Sequence, residues 1–90
     1  MTVYVDDLFE WPANDWRKGK WCHMWTDSHE EELHALALSI GLKRAWFQVG
    51  NIRFHHYDLR PAMRNKALQA GAQYLPLRDW IRRQVAPPPE

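Results

Sequence analysis

The chain has 90 residues, 46% of them hydrophobic, and a formal net charge of +1 from 12 basic and 11 acidic side chains. This length supports one small core and excludes a second. The near-neutral balance excludes non-specific attraction of nucleic acid, and no apolar run approaches the roughly 20 residues of a membrane span. We therefore expect a soluble, cytoplasmic protein with a single domain over residues 1–86 and a disordered, proline-rich tail over residues 87–90.

The N-terminal region is predicted to contain a short strand and then a loop. Residues 2–5 are rich in β-branched and aromatic side chains, and Asp6 and Asp7 follow where open α/β sheets place ligand-contacting groups. Residues 8–19 contain proline, asparagine, aspartate and glycine, which predict a loop. Two tryptophans within it indicate that it folds back over the domain, as a lid over a site or as a hydrophobic plug.

Residues 20–26 are predicted to form the central strand. Because strand side chains alternate, Trp21, His23 and Trp25 share one face and Cys22 points the other way. The two indoles either stack on a flat ring, as aromatic planes hold nucleobases, or pack beneath a helix. Cys22 and His23 point to opposite faces, which excludes a nucleophile and base pair between them.

A helix is predicted over residues 28–40, because leucine, alanine and isoleucine recur there at helical spacing. Asp27 and Ser28 each precede a glutamate by three residues, which is the spacing of a capping box. Gly41 is a natural C-cap. His34 lies beside the apolar stripe and is therefore expected at the boundary between this helix and its neighbour.

A β-hairpin is predicted for residues 45–57, because the Gly-Asn dipeptide at 50–51 suits a two-residue turn. Pairing Val49 with Ile52 would direct an apolar face toward the core and leave His56 as a polar residue at the end of that face. The hairpin excludes a purely parallel sheet.

The C-terminal third is predicted to form a helix, an edge strand and a last helix. Pro61 occupies the favoured first helical position, and Gly71 ends that helix. Residues 73–77 contain a proline that favours an edge position, and residues 78–85 form a helix with Trp80, Ile81 and Val85 on its buried face. The order β-β-α-β-β-α-β-α predicts a small, single-domain α/β sandwich around a mixed sheet.

Polar side chains collect at the predicted strand ends and helix starts. Carboxylates and imidazoles can bind a divalent metal that activates water, and an arginine early in a helix can hold a phosphate. The spacing matches no established metal signature, so each histidine taken singly is more often a surface or core residue. The candidates for a catalytic and metal-binding centre are Asp6, His23, His56 and Asp58, and those for ligand binding are Trp21, Trp25, Asp27, His34, Tyr57 and Arg64.

Several short motifs follow one another along most of residues 2–72. They are Val-Tyr-Val-Asp-Asp at 3–7, Trp-Cys-His-Met at 21–24, Glu-Glu-Leu-His-Ala at 31–35, Arg-Ala-Trp-Phe-Gln at 44–48 and His-Tyr-Asp-Leu at 56–59, followed by Arg64. This pattern resembles a small bacterial and phage family, domain of unknown function 4031 (DUF4031). The resemblance implies hallmark polar positions at Asp6, His23, Asp27, Glu32, His34, His56, Tyr57, Asp58 and Arg64.

The resemblance also bears on function and on where this chain differs. Relatives joined to HD-type phosphohydrolase domains imply nucleotide chemistry, although the family carries no established activity. Residues 49–54 look like an insertion relative to the family, which could reshape a site nearby. Arg60 stands where the family usually has a threonine cap before Pro61.

Two classes of function agree with these residues. In the first, a small phage-type cytosolic protein binds a phosphorylated, nucleotide-like molecule, with an indole on the ring and Arg64 on the phosphate. It either hydrolyses that molecule with a divalent metal or only sequesters it. In the second, exposed Trp11, Trp16 and Trp46 form a non-enzymatic module that docks on a host protein. A homodimer is a further candidate partner, whereas a membrane is not.

Overall fold

The structure, a computed structural model, describes residues 2–49 and 55–85, apart from the side chains of residues 84 and 85. Within this part the chain forms a small α/β domain with a five-stranded mixed sheet and three helices, which confirms the predicted class. The strands are β1 (Val3–Val5), β2 (Phe9–Trp11), β3 (Gly19–Thr26), β4 (Tyr57–Leu59) and β5 (Gln73–Tyr74). The helices are α1 (Glu30–Ser39), α2 (Pro61–Gln69) and α3 (Leu77–Val85), with a 3-10 helix at Arg44–Trp46.

The strand β3 is the centre of the sheet. Met24 pairs with Val5 of β1 and with Tyr57 of β4, so these two antiparallel neighbours flank β3 on opposite sides. β2 also pairs antiparallel with β3, and β5 adds to β1 in parallel at the edge of the sheet. The predicted edge position is therefore confirmed for residues 73–74, whereas residue 77, predicted to end that strand, begins α3. Among the described strands, the parallel pairing of β1 with β5 makes the sheet mixed.

The chain between β1 and β2 contains one extra residue. Residues 6–8 separate Val5 from Phe9, whereas only two residues separate their partners on β3, Met24 and Trp21. Such a bulge bends a strand locally and redirects a side chain. β2 itself lies inside the segment that was predicted to be entirely loop, so that prediction is wrong for the part that pairs with β3.

The core lies between the sheet and the helices α1 and α2. Its buried side chains are Val3, Val5, Cys22, Met24, Leu33, Ala37, Ile40, Leu42, Tyr57, Leu59, Ala67 and Ala72. On the opposite face, Trp25 is fully buried against Tyr4 and against Trp80 of α3. Ile81 is 47% exposed, which contradicts the buried position predicted for it, and the side chain of residue 85 lies outside the described part.

The C-terminal end of α1 agrees with the prediction, whereas its N-terminal end does not. The N-cap is His29, which makes no side-chain capping bond, so the capping box predicted at residues 27–28 is wrong. The Asp27 carboxylate instead accepts hydrogen bonds from the Thr2 backbone N–H, at 2.9 Å, and from the Tyr4 hydroxyl, at 3.2 Å. Gly41 has φ +94°, a left-handed conformation that glycine adopts without strain, as expected of a C-cap.

The region predicted as a hairpin has a different local structure. Residues 44–46 form a 3-10 helix instead of a strand. Gln48 and His56 pair through two backbone hydrogen bonds of 2.9 and 3.1 Å, whereas the predicted register would place His56 opposite residue 45. The predicted turn at residues 50–51 and the tail at residues 87–90 lie outside the described residues.

The remaining helical predictions hold. α2 begins at Pro61, and Gly71 follows its last turn with φ +113°. Among the described residues, no helix combines the length and the apolar character that crossing a bilayer would require.

Candidate functional site

A cleft of about 430 Å³ opens on the face of the sheet that lies away from α1 and α2. β2, β3, β4 and the segment between β2 and β3 contribute its walls. The lining residues are Phe9, Trp11, Trp16, Arg17, Trp21, His23, Gln48, His56 and Asp58. Aromatic rings, imidazoles and one carboxylate thus share a single concave surface.

Strand register brings three polar side chains together on the floor of this cleft. His23 of β3 lies directly opposite Asp58 of β4, and paired residues present their side chains on the same face. His56 precedes Asp58 by two positions and returns to that face. One nitrogen of each imidazole and one carboxylate oxygen of Asp58 lie within 4.8 Å of one another. Two histidines and an aspartate from separate parts of the sequence therefore converge.

The bulge after β1 directs Asp6 against His23. Asp6 is only 4% exposed, and its Oδ1 accepts a 2.6 Å hydrogen bond from the His23 backbone N–H. Its Oδ2 lies 2.7 Å from His23 Nδ1. A proton held on Nδ1 by this carboxylate leaves the lone pair of the ring on Nε2, which points away from Asp6. Asp6 thus orients the His23 imidazole through Nδ1 and is not a member of the group formed by His23, His56 and Asp58.

Asp58 has partners on both of its oxygens. Oδ1 lies 3.4 Å from His56 Nε2, and Oδ2 accepts a hydrogen bond from the Gln48 side-chain amide. Burial opposes ionisation, but His56 and Gln48 outweigh it and hold the pKa of the Asp58 carboxyl below its ordinary value. Asp58 is therefore an anion at neutral pH and can ligate a cation.

Aromatic rings form the walls on either side of the polar group. Phe9 stacks on the imidazole of His23 with ring centroids 5.1 Å apart and an interplanar angle of 21°. Trp16 meets Trp21 edge to face, with centroids 6.2 Å apart. Trp16 is 75% exposed, so most of this indole is available to a ligand.

Arg60 ties the segment at residues 12–18 to the sheet. Its guanidinium lies 4.0 Å above the Trp21 ring, donates a 2.9 Å hydrogen bond to the Lys18 carbonyl and also donates to the Trp16 carbonyl. Trp21 Nε1 donates in turn to the Arg17 carbonyl. These contacts hold Trp16 and Arg17 at the rim of the cleft.

Three of the predicted ligand-binding residues lie elsewhere for clear physical reasons. Trp25 is fully buried beneath Trp80, so of the two predicted alternatives for this indole the packing beneath a helix is correct. No face of its ring is left for a ligand. Asp27 lies at the far end of β3, bonded to the Thr2 N–H and the Tyr4 hydroxyl. Arg64 donates a 2.9 Å hydrogen bond to the backbone carbonyl of Asp6 and supports the bulge, and it does not line the cleft.

His34 and Tyr57 form a separate pair on the helical side of the sheet. His34 Nδ1 and the Tyr57 hydroxyl are 2.8 Å apart, and Phe47 packs edge-on against the imidazole. Burial, with help from the positive charge of Arg44, lowers the pKa of His34, and burial raises the pKa of Tyr57. Both residues therefore belong to the packing of α1 on the sheet.

The buried Cys22 cannot act as a nucleophile at neutral pH. Burial, with a smaller contribution from the charge of Asp6, raises the pKa of its thiol to about 12. A thiol that stays protonated is neither a metal ligand nor an attacking group.

Phe9, Arg17, Gln48 and Arg60 were not identified from the sequence, and Trp11 and Trp16, which line the cleft, were predicted only as part of a lid, a plug or a docking patch. Phe9 and Arg17 fall in a segment predicted to be loop, and the roles of Gln48 and Arg60 depend on strand pairing. Arg60 could have been predicted at the site if β4 had been placed correctly, because side chains alternate along a strand and Arg60 therefore shares a face with Asp58. Gln48 could be placed in the site only from its backbone pairing with His56, and residues 49–54 lie between these two residues in the sequence.

One protein family model, described as a protein of unknown function (DUF4031), matches residues 3–86. The match covers nearly the whole chain and confirms the resemblance stated from the sequence motifs. No curated protein and no solved structure matches the chain.

Proposed function

We propose that this chain, which belongs to the DUF4031 family, binds a phosphorylated, nucleotide-like small molecule in the cleft and hydrolyses it with a divalent cation. The cation would be held by His23, His56 and Asp58. The observation that carries the proposal is the convergence of these three side chains, within 4.8 Å of one another, on the floor of a cleft with aromatic walls.

The shape and lining of the cleft favour a flat, ring-containing ligand. Its volume of about 430 Å³ lies within the range of roughly 300–1,000 Å³ that small-molecule sites occupy. Trp16 and Trp21 offer indole surfaces on which a base can stack, an interaction worth about 1–3 kcal/mol per base. Stacking is tolerant of base identity, so these walls favour the nucleotide class over any single member.

The charges near the cleft favour phosphate. A cation between two neutral imidazoles and one carboxylate keeps a net positive charge, which attracts phosphate oxygens. Arg17 lines the rim, and its 2.8 Å ion pair with Asp15 is exposed to solvent. The pair is bidentate, through Arg17 Nε and Nη2, so a phosphate would have to replace the Asp15 carboxylate at both nitrogens.

The hydrolytic step requires water as its only co-reactant. A divalent cation held by His23, His56 and Asp58 would supply a water of lowered pKa. Attack of that water's oxygen would form the new bond to phosphorus and would release a proton for the leaving oxygen. The bond from phosphorus to the leaving oxygen breaks, and the leaving oxygen takes up the proton. The protein contributes the position of the cation and the orientation of the ring against Trp21.

The proposal also concerns location and partners. A small phosphorylated metabolite and an unmodified thiol at Cys22 suit a cytoplasm, which for a phage-encoded member is that of the host. Neither a membrane nor a nucleic acid is needed as a partner.

A second candidate is a non-enzymatic interaction module, favoured by the exposure of Trp11, Trp16 and Trp46, which are 42%, 75% and 50% exposed. Trp11 and Trp16 also line the cleft, so the first proposal accounts for both. Trp46 lies in the 3-10 helix beside Lys43 and does not line the cleft. This difference makes Trp46 a discriminating position.

A thermal-shift titration tests the proposal with matched variants. Nucleoside mono- and diphosphates are added with and without Mn²⁺, Mg²⁺ or Zn²⁺, because a ligand at 100 times its Kd stabilises a protein by about 2.7 kcal/mol. We expect the largest shift when cation and nucleotide are present together. Asp58→Asn should remove the cation dependence and Trp16→Ala should weaken nucleotide binding, whereas the controls Asp79→Asn and Trp46→Ala should behave as wild type.

Chromatography of the recovered nucleotide decides between binding and hydrolysis. Released phosphate that disappears in Asp58→Asn supports the enzyme, whereas an unchanged nucleotide after long incubation would sink the hydrolytic part and leave sequestration. If no nucleotide or cation shifts the wild type, and capture of a host protein depends on Trp46, the interaction module is the better description.

A further inference from the structure

We infer that the cation taken by this cleft is a borderline transition-metal ion of the Zn²⁺ class, bound tetrahedrally, and not Mg²⁺ or Ca²⁺. The inference rests on the proposed function and identifies the cofactor class of that site. The ligand atoms are His23 Nε2, His56 Nε2 and Asp58 Oδ1, and the fourth position faces the cleft.

The donor set is the first reason. Mg²⁺ and Ca²⁺ prefer six or more oxygen ligands, whereas imidazole nitrogen suits Zn²⁺, Fe²⁺, Co²⁺ and related ions. The converging group offers two imidazoles and one carboxylate. Catalytic zinc sites are built from three such protein ligands and keep their fourth position open for water or substrate.

The spacing of the donors is the second reason. His56 Nε2 and Asp58 Oδ1 are 3.4 Å apart, longer than a typical hydrogen bond. Two ligands at roughly 2.0–2.1 Å from a tetrahedral ion are separated by about 3.4 Å. The pair is therefore already placed at the separation that a shared ion requires. The three donor atoms all lie within 4.8 Å of one another, about 1.4 Å more than this separation, so binding of the ion would draw them closer together.

The hydrogen bonds behind the donors are the third reason. Metal-binding histidines characteristically direct the other ring nitrogen to a carboxylate, and ligating carboxylates are themselves hydrogen-bonded. Asp6 lies 2.7 Å from Nδ1 of His23, and Gln48 donates to Oδ2 of Asp58. These contacts occupy His23 Nδ1 and Asp58 Oδ2, so the proposed ligand atoms are the other ring nitrogen, Nε2, and the other carboxylate oxygen, Oδ1.

Metal titration of the chelator-treated full chain tests the inference. Zn²⁺, Co²⁺ and Mg²⁺ are added separately, with calorimetry for affinity and visible absorption for the coordination of Co²⁺. We expect one equivalent of Zn²⁺ to bind at least about 100-fold more tightly than Mg²⁺, and Co²⁺ to give the intense visible bands of a four-coordinate complex.

Matched variants assign the binding to these side chains. His56→Gln and Asp58→Asn should each lose about tenfold or more in Zn²⁺ affinity. His29→Gln, which removes an exposed histidine at the start of α1, should leave that affinity unchanged. Far-UV circular dichroism checks the fold. If the buried His56 variant does not fold, Asp58→Asn decides, because the Asp58 side chain is 34% exposed and tolerates substitution more readily.

The outcomes separate this inference from the proposed function. Equal affinity for Mg²⁺ and Zn²⁺, or Zn²⁺ binding that survives both ligand substitutions, would overturn the inference. If Mg²⁺ alone supports nucleotide binding, the inference fails while the proposed function stands. If Zn²⁺ binds as expected but no phosphorylated ligand does, the metal assignment stands and the proposed function fails.

Discussion

A single buried carboxylate, Asp6, determines which nitrogen of His23 faces the cleft. The bulge between β1 and β2 turns this side chain toward β3, where its two oxygens meet the backbone N–H and Nδ1 of His23. Arg64 donates to the carbonyl of the same residue and so supports the bulge from α2. The orientation of one imidazole thus depends on a local irregularity in an adjacent strand.

Replacing Asp6 with asparagine tests this orientation. An amide can still occupy the space, but it no longer holds a proton on Nδ1 by charge, so we expect cation affinity to fall about 10–100-fold. Co²⁺ titration measures the change. Asp7→Asn is the matched control, because Asp7 is exposed and accepts a hydrogen bond from the Tyr74 hydroxyl instead. Equal losses in the two variants would contradict the role given to Asp6.

His34 allows a prediction of pH dependence. Burial and the positive charge of Arg44 lower its pKa in the folded state, against the opposing effect of Glu30 and Glu31. The unfolded chain therefore takes up the proton first as the pH falls below about 6.5. The contribution of His34 to stability is complete above that pH and is lost as the pH falls toward the lowered folded value.

The measurement compares the free energy of unfolding of wild type and His34→Gln between pH 7.5 and pH 5. Chemical denaturation at each pH supplies both values. We expect the wild type to lose more stability than the variant across this interval, because only the wild type has a partly buried imidazole that the fold keeps neutral. A variant that loses at least as much as wild type would show that His34 is not the group responsible.

Among the elements, the segment at residues 12–18 has the closest connection to function, because it carries Trp16 and Arg17 to the rim of the cleft. Apart from its local Asp15 contacts, it is held to the sheet largely by hydrogen bonds to its carbonyls from Arg60 and Trp21. Gly19, at its end, has φ +118°, and an added Cβ would lie 2.8 Å from Arg60 Nη1. Glycine therefore leaves room for the guanidinium that anchors the segment.

Arg60→Ala should release this segment without unfolding the domain. Loss of hydrogen bonds from a charged donor and of the contact with the Trp21 ring predicts a destabilisation of about 1–2 kcal/mol. Hydrogen exchange of the amides at residues 12–18 should accelerate, while exchange in β3 should stay slow. Arg82→Ala is the control, because the Arg82 side chain is 75% exposed on α3. Unchanged exchange in the segment would refute the anchoring role.

The parts of the site that the sequence predicted are those that depend on local periodicity. Alternation along β3 placed Trp21 and His23 on one face, because a period of two requires only that the strand exists. His56 and Asp58 share a face for the same reason. Grouping His23 with these two residues, however, required the pairing of β3 with β4, and the predicted hairpin wrongly directed His56 to the core side of the sheet.

The parts that were missed depend on pairing between distant segments. An extra residue in one strand becomes visible only when its partner is known, so the bulge that directs Asp6 had no local pattern. Trp25 and Trp21 are equivalent in the alternation, but Trp80 of α3 buries Trp25, whereas Trp21 contacts Arg60 and Trp16 and lines the cleft. Asp27 has no capping role because α1 begins later, with His29 as its N-cap, and the Asp27 carboxylate bonds to the Thr2 N–H instead.

For the whole molecule, one face of the sheet is divided between a packed end and an open end. Trp25 of β3 lies beneath Trp80 of α3, whereas Trp21 and His23 of the same strand and face line the cleft. The helix α3 therefore sets the limit of the cleft. A domain of this size has a total stability of about 5–15 kcal/mol, so a single aromatic contact between α3 and the sheet accounts for a large share.

Trp80→Ala tests whether α3 stabilises the fold independently of the site. Removing the indole that covers Trp25 and Tyr4 should cost about 2–3 kcal/mol, less than a fully buried tryptophan because Trp80 is half-buried. At roughly 4–8 °C per kcal/mol, Tm should fall by about 8–24 °C. Below the lowered Tm, cation affinity should match wild type, because Trp80 does not line the cleft. Trp46→Ala, the exposed control, should shift Tm little, and a loss of cation affinity in Trp80→Ala would show that the two ends of the face are coupled.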